Sequence, residues 1–319
     1  MSAENLKVAY LGPPASFSHQ AATESFTRTT AELQPHASFD DAFLAVQQQN
    51  VDYAVIPFEN STNGSVVQTL DLLADRAGLY KDVKVCGEYY LTVHHCLLVR
   101  KGTYPAGWES YDGSITKLYT HPQAWGQCEA FLSQHFKGIE RQDVSSTSKG
   151  AEFVFKETQE RSAAIASRFA AEYHGVDVLK ENIEDRADNT TRFLILRNVV
   201  AERTAQLGFE QPDVHVPAGQ PAPVTTHKTL VSFAIDHSAP GALANALLIF
   251  KAHGLNLSSI NTRPSLKRAW QYIFFVECGR TPSEENKDAV LKALNDLRHV
   301  TEFCTDLGTW KDQLGAKLI

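Results

Sequence analysis

Nowhere in the 319 residues does an apolar run approach the roughly 20 residues a helix needs to cross a bilayer. The opening Met1-Ser2-Ala3-Glu4-Asn5 carries neither a basic stretch nor an apolar core. A secretory or transit leader and membrane contact are therefore not expected, and a cytoplasmic location is. Basic charge is short as well: 30 Lys and Arg face 37 Asp and Glu, for a net charge of −7. That balance excludes general affinity for nucleic acid or anionic lipid. The five cysteines, Cys86, Cys96, Cys128, Cys278 and Cys304, are odd in number, widely spaced and form no Cys-x-x-Cys pair, so they read as reduced, packed thiols. Neither a Gly-x-Gly-x-x-Gly nucleotide fingerprint nor a Gly-x-Ser-x-Gly elbow occurs. Adjacent His94 and His95 would point to opposite faces of a strand, which makes them poor joint metal ligands.

What is present is an ordinary globular composition, 43% hydrophobic and 21% charged, on a chain long enough for two or three compact units. Through residue 198, short apolar runs alternate with helical periodicities, the pattern of an α/β architecture. Strands are expected over 7–11, 53–57, 83–88, 91–99, 117–120, 162–166 and 192–197. Ser38 and Ser146 each precede a helical run and suit N-caps. Periodicity fades from Ala201 to Thr226, where Pro217, Pro221 and Pro223 among small residues indicate a linker. Beyond it the order strand, helix, strand, strand, helix, strand fits a ferredoxin-like α+β unit.

Polar groups recur just past the ends of the apolar strands, where open α/β sheets bind ligands. Tyr10-Leu11-Gly12-Pro13 leads into Ser16, Ser18 and His19; Ala54-Val55-Ile56 leads into Pro57-Phe58-Glu59-Asn60-Ser61; Lys117-Leu118-Tyr119 delivers Thr120-His121-Pro122-Gln123 through Gln127. Most informative is Thr190-Thr191-Arg192-Phe193 ahead of Leu194-Ile195-Leu196. A guanidinium there can grip a carboxylate while a hydroxyl bonds a second oxygen, which points to an anionic small molecule.

These segments, in this order and with Gly241-Ala242-Leu243 and Arg263-Pro264 further on, resemble the prephenate dehydratases that carry a C-terminal ACT regulatory domain. The resemblance covers nearly the whole chain. It implies a two-lobed catalytic domain similar to the type 2 periplasmic binding proteins over residues 6–198, with a second lobe at about 90–188, then a linker over 199–226 and an ACT domain over 227–313. It also implies loss of water and CO₂ from prephenate to give phenylpyruvate, a step of L-phenylalanine biosynthesis. Aromatisation drives that reaction, so no metal or organic cofactor is required. No chorismate mutase domain is expected, since no helical segment precedes Val8.

Carried over residue by residue, Thr191 assists departure of the hydroxyl, Arg192 anchors a carboxylate, and Asn60, Thr120, Gln127 and Phe193 line the substrate site. Ser146 and Thr147 could add an anion-binding helix start from the second lobe, or merely cap that helix. Glu59 reads equally as a general acid, if burial raises its pKa, or as an acceptor holding the Asn60 loop. His121 fits a turn better than an acid. The resemblance further implies L-phenylalanine as an allosteric ligand between ACT domains of a homodimer or homotetramer, held by Gly241, Ala242, Leu243, Asn256, Leu257, Ser258 and Arg263. Here the chain departs from the family's Glu-Ser-Arg-Pro motif, reading Asn261-Thr262-Arg263-Pro264, which bears on the strength of the response. Arogenate dehydratase, whose substrate has an amine in place of the keto group, is the nearest alternative. A non-catalytic amino-acid receptor is the alternative from another class.

Overall fold

The computed structural model describes residues 5–27, 31–157, 161–207, 226–280 and 288–314. Most of the expected linker lies outside them. The first lobe comprises β1 (Leu6–Leu11), α1 (Phe17–Ser25), β2 (Ala31–His36), α2 (Phe39–Gln47), β3 (Tyr53–Asn60), the two-residue β4 (Gly64–Ser65), α3 (Val67–Leu73) and β5 (Val83–Thr92). The second holds β6 (Cys96–Val99), β7 (Lys117–Thr120), α4 (Pro122–Gln127), α5 (Glu129–His135), β8 (Glu140–Asp143), α6 (Thr147–Lys156), β9 (Ser162–Ala166), α7 (Arg168–His174) and β10 (Asp177–Lys180). The chain then returns to the first lobe as β11 (Thr190–Asn198) and α8 (Glu202–Leu207). The C-terminal unit is β12 (His227–Ala234), α9 (Ala242–Ala252), β13 (Asn256–Pro264), β14 (Tyr272–Arg280), α10 (Ala289–Val300) and β15 (Phe303–Lys311).

Three sheets result, in the orders β2-β1-β3-β11-β5, β10-β6-β9-β7-β8 and β13-β14-β12-β15. The third is antiparallel throughout, and its βαββαβ connection is the ferredoxin-like pattern. Three strands escape the periodicity for a physical reason. β2 mixes polar residues with Pro35 on a sheet edge, where a missing N–H is tolerated, and β8 is exposed along its length, so neither needs an apolar run. β10 is a four-residue edge strand with only Leu179 buried. Where periodicity was expected to vanish, α8 forms, held by Arg203 on Asp52 at 2.9 Å and by the Thr204 hydroxyl donating to Asn198 O.

Successive residues of the central strand β11 face opposite sides of its sheet. Phe193 and Ile195 pack with Tyr10, Tyr53 and α1, whereas Leu194 and Leu196 lie in a core with α2, α3 and the C-terminal residues Leu230, Phe275, Leu307 and Trp310. The C-terminal sheet therefore covers one face of the first lobe's sheet and shares its core. Polar contacts reinforce the joint. Arg263 forks onto Asp71 through Nε and Nη2 at 2.8 and 2.9 Å, and Ser65 donates to Asn261 Oδ1 at 2.6 Å. Burial alone would raise the Asp71 pKa, but the two guanidinium groups of Arg263 and Arg76 hold it below the ordinary carboxylate value. A double-mutant cycle with Arg263→Ala and Asp71→Ala should return a coupling of about 0.5–1 kcal/mol in thermal unfolding, because both side chains remain partly solvated and screened. A coupling near zero would mean the fork adds nothing to the joint.

Candidate active site

β3 and β11 end side by side, and directly paired residues share a sheet face. Thr191 is paired with Asn60 and Arg192 with Glu59, so the two pairs face opposite sides. Asn60 Oδ1 accepts the backbone N–H groups of Thr62 and Asn63 at 3.0 and 2.9 Å. Those bonds leave Nδ2 to donate to Thr191 Oγ1 at 3.0 Å and to Asn189 Oδ1 at 2.8 Å. In that bond Thr191 Oγ1 is the acceptor, so the bond does not engage its hydroxyl hydrogen. Asn189 is buried, and among the described residues its Nδ2 has no acceptor. Two neutral donors are thus placed at one strand end, one of them buried and unused, a costly state that a bound acceptor would relieve.

The two lobes meet beside this cluster. On the outward crossing Val93 N donates to Asn189 O at 2.7 Å, and on the return Ile183 N donates to His95 O at 3.0 Å. Glu184 ties the crossings together, accepting from His95 N at 2.9 Å and pairing with His94 Nδ1 at 2.7 Å. His95 is buried, stands edge-on to Phe17, and donates from Nε2 to Gln127 Oε1 at 2.7 Å. Gln127 belongs to the second lobe, and with its amide oxygen held by His95 its NH₂ is left as a donor.

Burial holds His95 below its ordinary pKa of 6.5, and His19, His121 and His174 are lowered by burial too. Their depressed folded-state values mean the unfolded chain takes up protons first as pH falls. Stability is therefore full above 6.5 and declines as pH drops from there toward the folded values. A melting temperature that falls between pH 7 and about pH 5, and falls less in His95→Gln, is the expected result by scanning calorimetry.

Several residues expected at the site are elsewhere. Arg192 is buried on the face opposite Thr191, where Glu88 at 2.6 Å and Glu277 of the C-terminal sheet pair with its guanidinium. Burial alone would lower its pKa, but these carboxylates raise it above the ordinary value. An arginine neutralised on that side is not a carboxylate anchor beside Thr191. Glu59 lies across from it, its carboxylate 4.0 Å from Arg192, and so cannot pass a proton to a group bound at Thr191. Thr120 is fully buried and donates its hydroxyl to Ile165 O at 2.6 Å, joining β7 to β9. Phe193 is a core residue among Tyr10, Tyr53 and Leu91. Ser146 accepts from Lys149 N at 3.0 Å as the N-cap of α6, with Thr147 as the first helical residue, and His121 likewise caps α4 by accepting from Gln123 N.

In the C-terminal unit, Gly241 takes φ +79° before α9, with Ala242 and Leu243 in its first turn. Asn256, Leu257 and Ser258 open β13, and Arg263, committed to Asp71, is not free beside Gly241. Ser258, exposed at the start of β13, donates its hydroxyl to Glu277 Oε1 at 2.7 Å.

A family model described as prephenate dehydratase matches residues 8–200, the two lobes with the strand ends just described. The chain belongs to the prephenate dehydratase family. It is 35% identical over 311 residues, covering 98% of this chain and 75% of the relative, to a bifunctional chorismate mutase/prephenate dehydratase of Aquifex aeolicus. A probable prephenate dehydratase of Saccharomyces cerevisiae is 32% identical, with 87% of this chain and 88% of the relative covered. Among solved structures, a prephenate dehydratase from Arthrobacter aurescens in complex with L-Phe superposes with a TM-score of 0.76 at 25% identity, over 97% of this chain and 91% of that one.

Two residues of this candidate site were not singled out for it in the sequence. Asn189 had a usable signal, an amide immediately before the Thr190-Thr191 hydroxyls, but its contact with Asn60 spans 129 positions. His95 had none, because its partner Gln127 is reached only by folding the second lobe back onto the crossing.

Proposed function

We propose that the chain carries out its family's dehydration on prephenate at the start of β11, with Thr191 at the departing hydroxyl, Asn60 orienting it through its Nδ2 bond, and Asn189 and Gln127 as neutral donors to the remaining oxygens. The observation that carries this reading is the Asn60 amide, which donates to the Thr191 oxygen in a bond that does not engage its hydrogen. As the ring carboxylate leaves as CO₂, its bonding pair enters the ring and the carbon–oxygen bond at the opposite carbon breaks. The hydroxide-like oxygen that forms is stabilised by the Thr191 hydrogen bond and leaves as water after taking a proton from solvent. Threonine is too weak an acid to supply that proton outright. Neutral donors suit this chemistry, because a fixed cation on the departing carboxylate would stabilise the ground state as much as the transition state.

The C-terminal unit is read as an ACT domain that binds L-phenylalanine near Gly241 and the start of β13 and assembles the chain as a dimer or tetramer. Support comes from its βαββαβ order, from the outer edge strand β13 with half-exposed Ile260, and from the family likeness. A cytoplasmic location fits both activities. Purified protein should convert prephenate to phenylpyruvate, followed by absorbance in alkali, faster than it converts arogenate. Added L-phenylalanine should bind by calorimetry and lower that rate. Turnover of arogenate alone would move the assignment to the amine substrate, and binding of either without turnover would favour a receptor.

A further inference from the structure

The side of β11 that faces away from Thr191 is occupied by buried charge from two units. Glu88 of the first lobe receives Arg192 Nη2 at 2.6 Å, Lys228 Nζ at 3.1 Å and the Gln313 backbone N–H at 2.9 Å. Glu277 of β14 pairs with the same Nη2 and accepts from Ser258 at 2.7 Å. Both carboxylates are almost fully buried, at 1% and 2% exposure, so each has exchanged solvent for these partners. One residue before Arg192 is Thr191.

On its other side β11 pairs with β5 without a break from Thr190 to Ile195, but its ladder with β3, which carries Asn60, is interrupted here. Arg192 is paired with Glu59 but Phe193 with Pro57, so Phe58 is the extra residue of a β-bulge at this point. A bulge interrupts the ladder and lets the strand bend. The Arg192 guanidinium lies over the Phe58 ring at 5.3 Å, clamping the bulged residue from the C-terminal side. Beyond the bulge stand the two residues whose separation matters, Asn60 on β3 and Thr191 on β11.

We infer that Glu277 is a positioning residue for the dehydration: by holding Arg192 over the Phe58 bulge, the C-terminal sheet sets the placement of Thr191 against Asn60. The inference rests on the reading of Thr191 given above. It makes the C-terminal unit part of the active site's support, with the edge strand β13 joined to it through Ser258.

The test is turnover of prephenate by the full chain in four forms: wild type, Glu277→Gln, Thr191→Ala and the double variant, with folding checked by melting. Glu277→Gln should lower kcat about tenfold with KM within about twofold, and should change kcat less than about twofold when Thr191 is already alanine. A residue that merely stabilises the fold would lower turnover by the same factor in both backgrounds, and that result would overturn the inference. So would unchanged kcat in folded Glu277→Gln. If Glu277→Gln does not fold, Glu277→Asp, which keeps the charge but withdraws it by one methylene, replaces it with the same expectations. Wild-type turnover and the Thr191→Ala loss are read first. Their failure removes the site reading and this inference together, whereas failure of the cycle alone removes only the inference.

Discussion

Thr191→Ala is expected to lower kcat by about 10²- to 10³-fold, the size found for removal of one donor to a developing oxyanion, with KM changed only a few-fold. The Asn60 Nδ2 bond at 3.0 Å makes the Thr191 oxygen an acceptor, so the lost group is a hydroxyl whose hydrogen that bond does not engage. Thr191→Ser keeps the hydroxyl without the methyl and should recover all but about tenfold of the rate. Asn60→Ala should act in the same direction, since it removes the donor that orients the hydroxyl. Steady-state kinetics on prephenate decides the matter. A Thr191→Ala protein within about twofold of wild type in kcat would place the chemistry elsewhere in the cleft.

Gly308→Ala should have the largest effect on stability. Gly308 sits in β15 at φ +128°, a conformation side-chain-bearing residues rarely adopt, and a Cβ there would stand 2.0 Å from the carbonyl oxygen of Val85 in β5. Both partners are backbone, so neither can swing aside. The C-terminal sheet must lift from the first lobe or β15 must distort, on top of about 1–3 kcal/mol of conformational strain. The melting temperature is expected to fall by on the order of 10 °C. Turnover should fall with it, because Glu277 and Lys228 reach the buried charge cluster only while the sheets are in contact. A variant that melts like wild type would mean the sheets have more room than their close approach indicates.

The sequence by itself determined the elements with strong local signals. Apolar runs such as Tyr53–Ile56 and Leu194–Leu196 must be buried wherever they fall, and Ser38 and Ser146 cap helices through bonds only three residues long. Family membership was legible for a similar reason, since the motif residues lie in short contiguous segments. Thr191 and Asn60 could be named from local pattern plus likeness. Which way each side chain points was not legible. Alternation sends Thr191 and Asn60 to one face and Arg192 and Glu59 to the other, and the Phe58 bulge shifts the register of these residues against the rest of β3. No spacing rule reveals a bulge. The partners of Arg192 are Glu88, on the neighbouring strand β5, and Glu277, 85 positions downstream of it, which only the docking of the C-terminal sheet brings within reach. Tertiary structure therefore decided that the guanidinium, which the sequence offered as a substrate anchor, is spent on holding two units together, because a buried charge must take whatever opposite charge the fold places beside it.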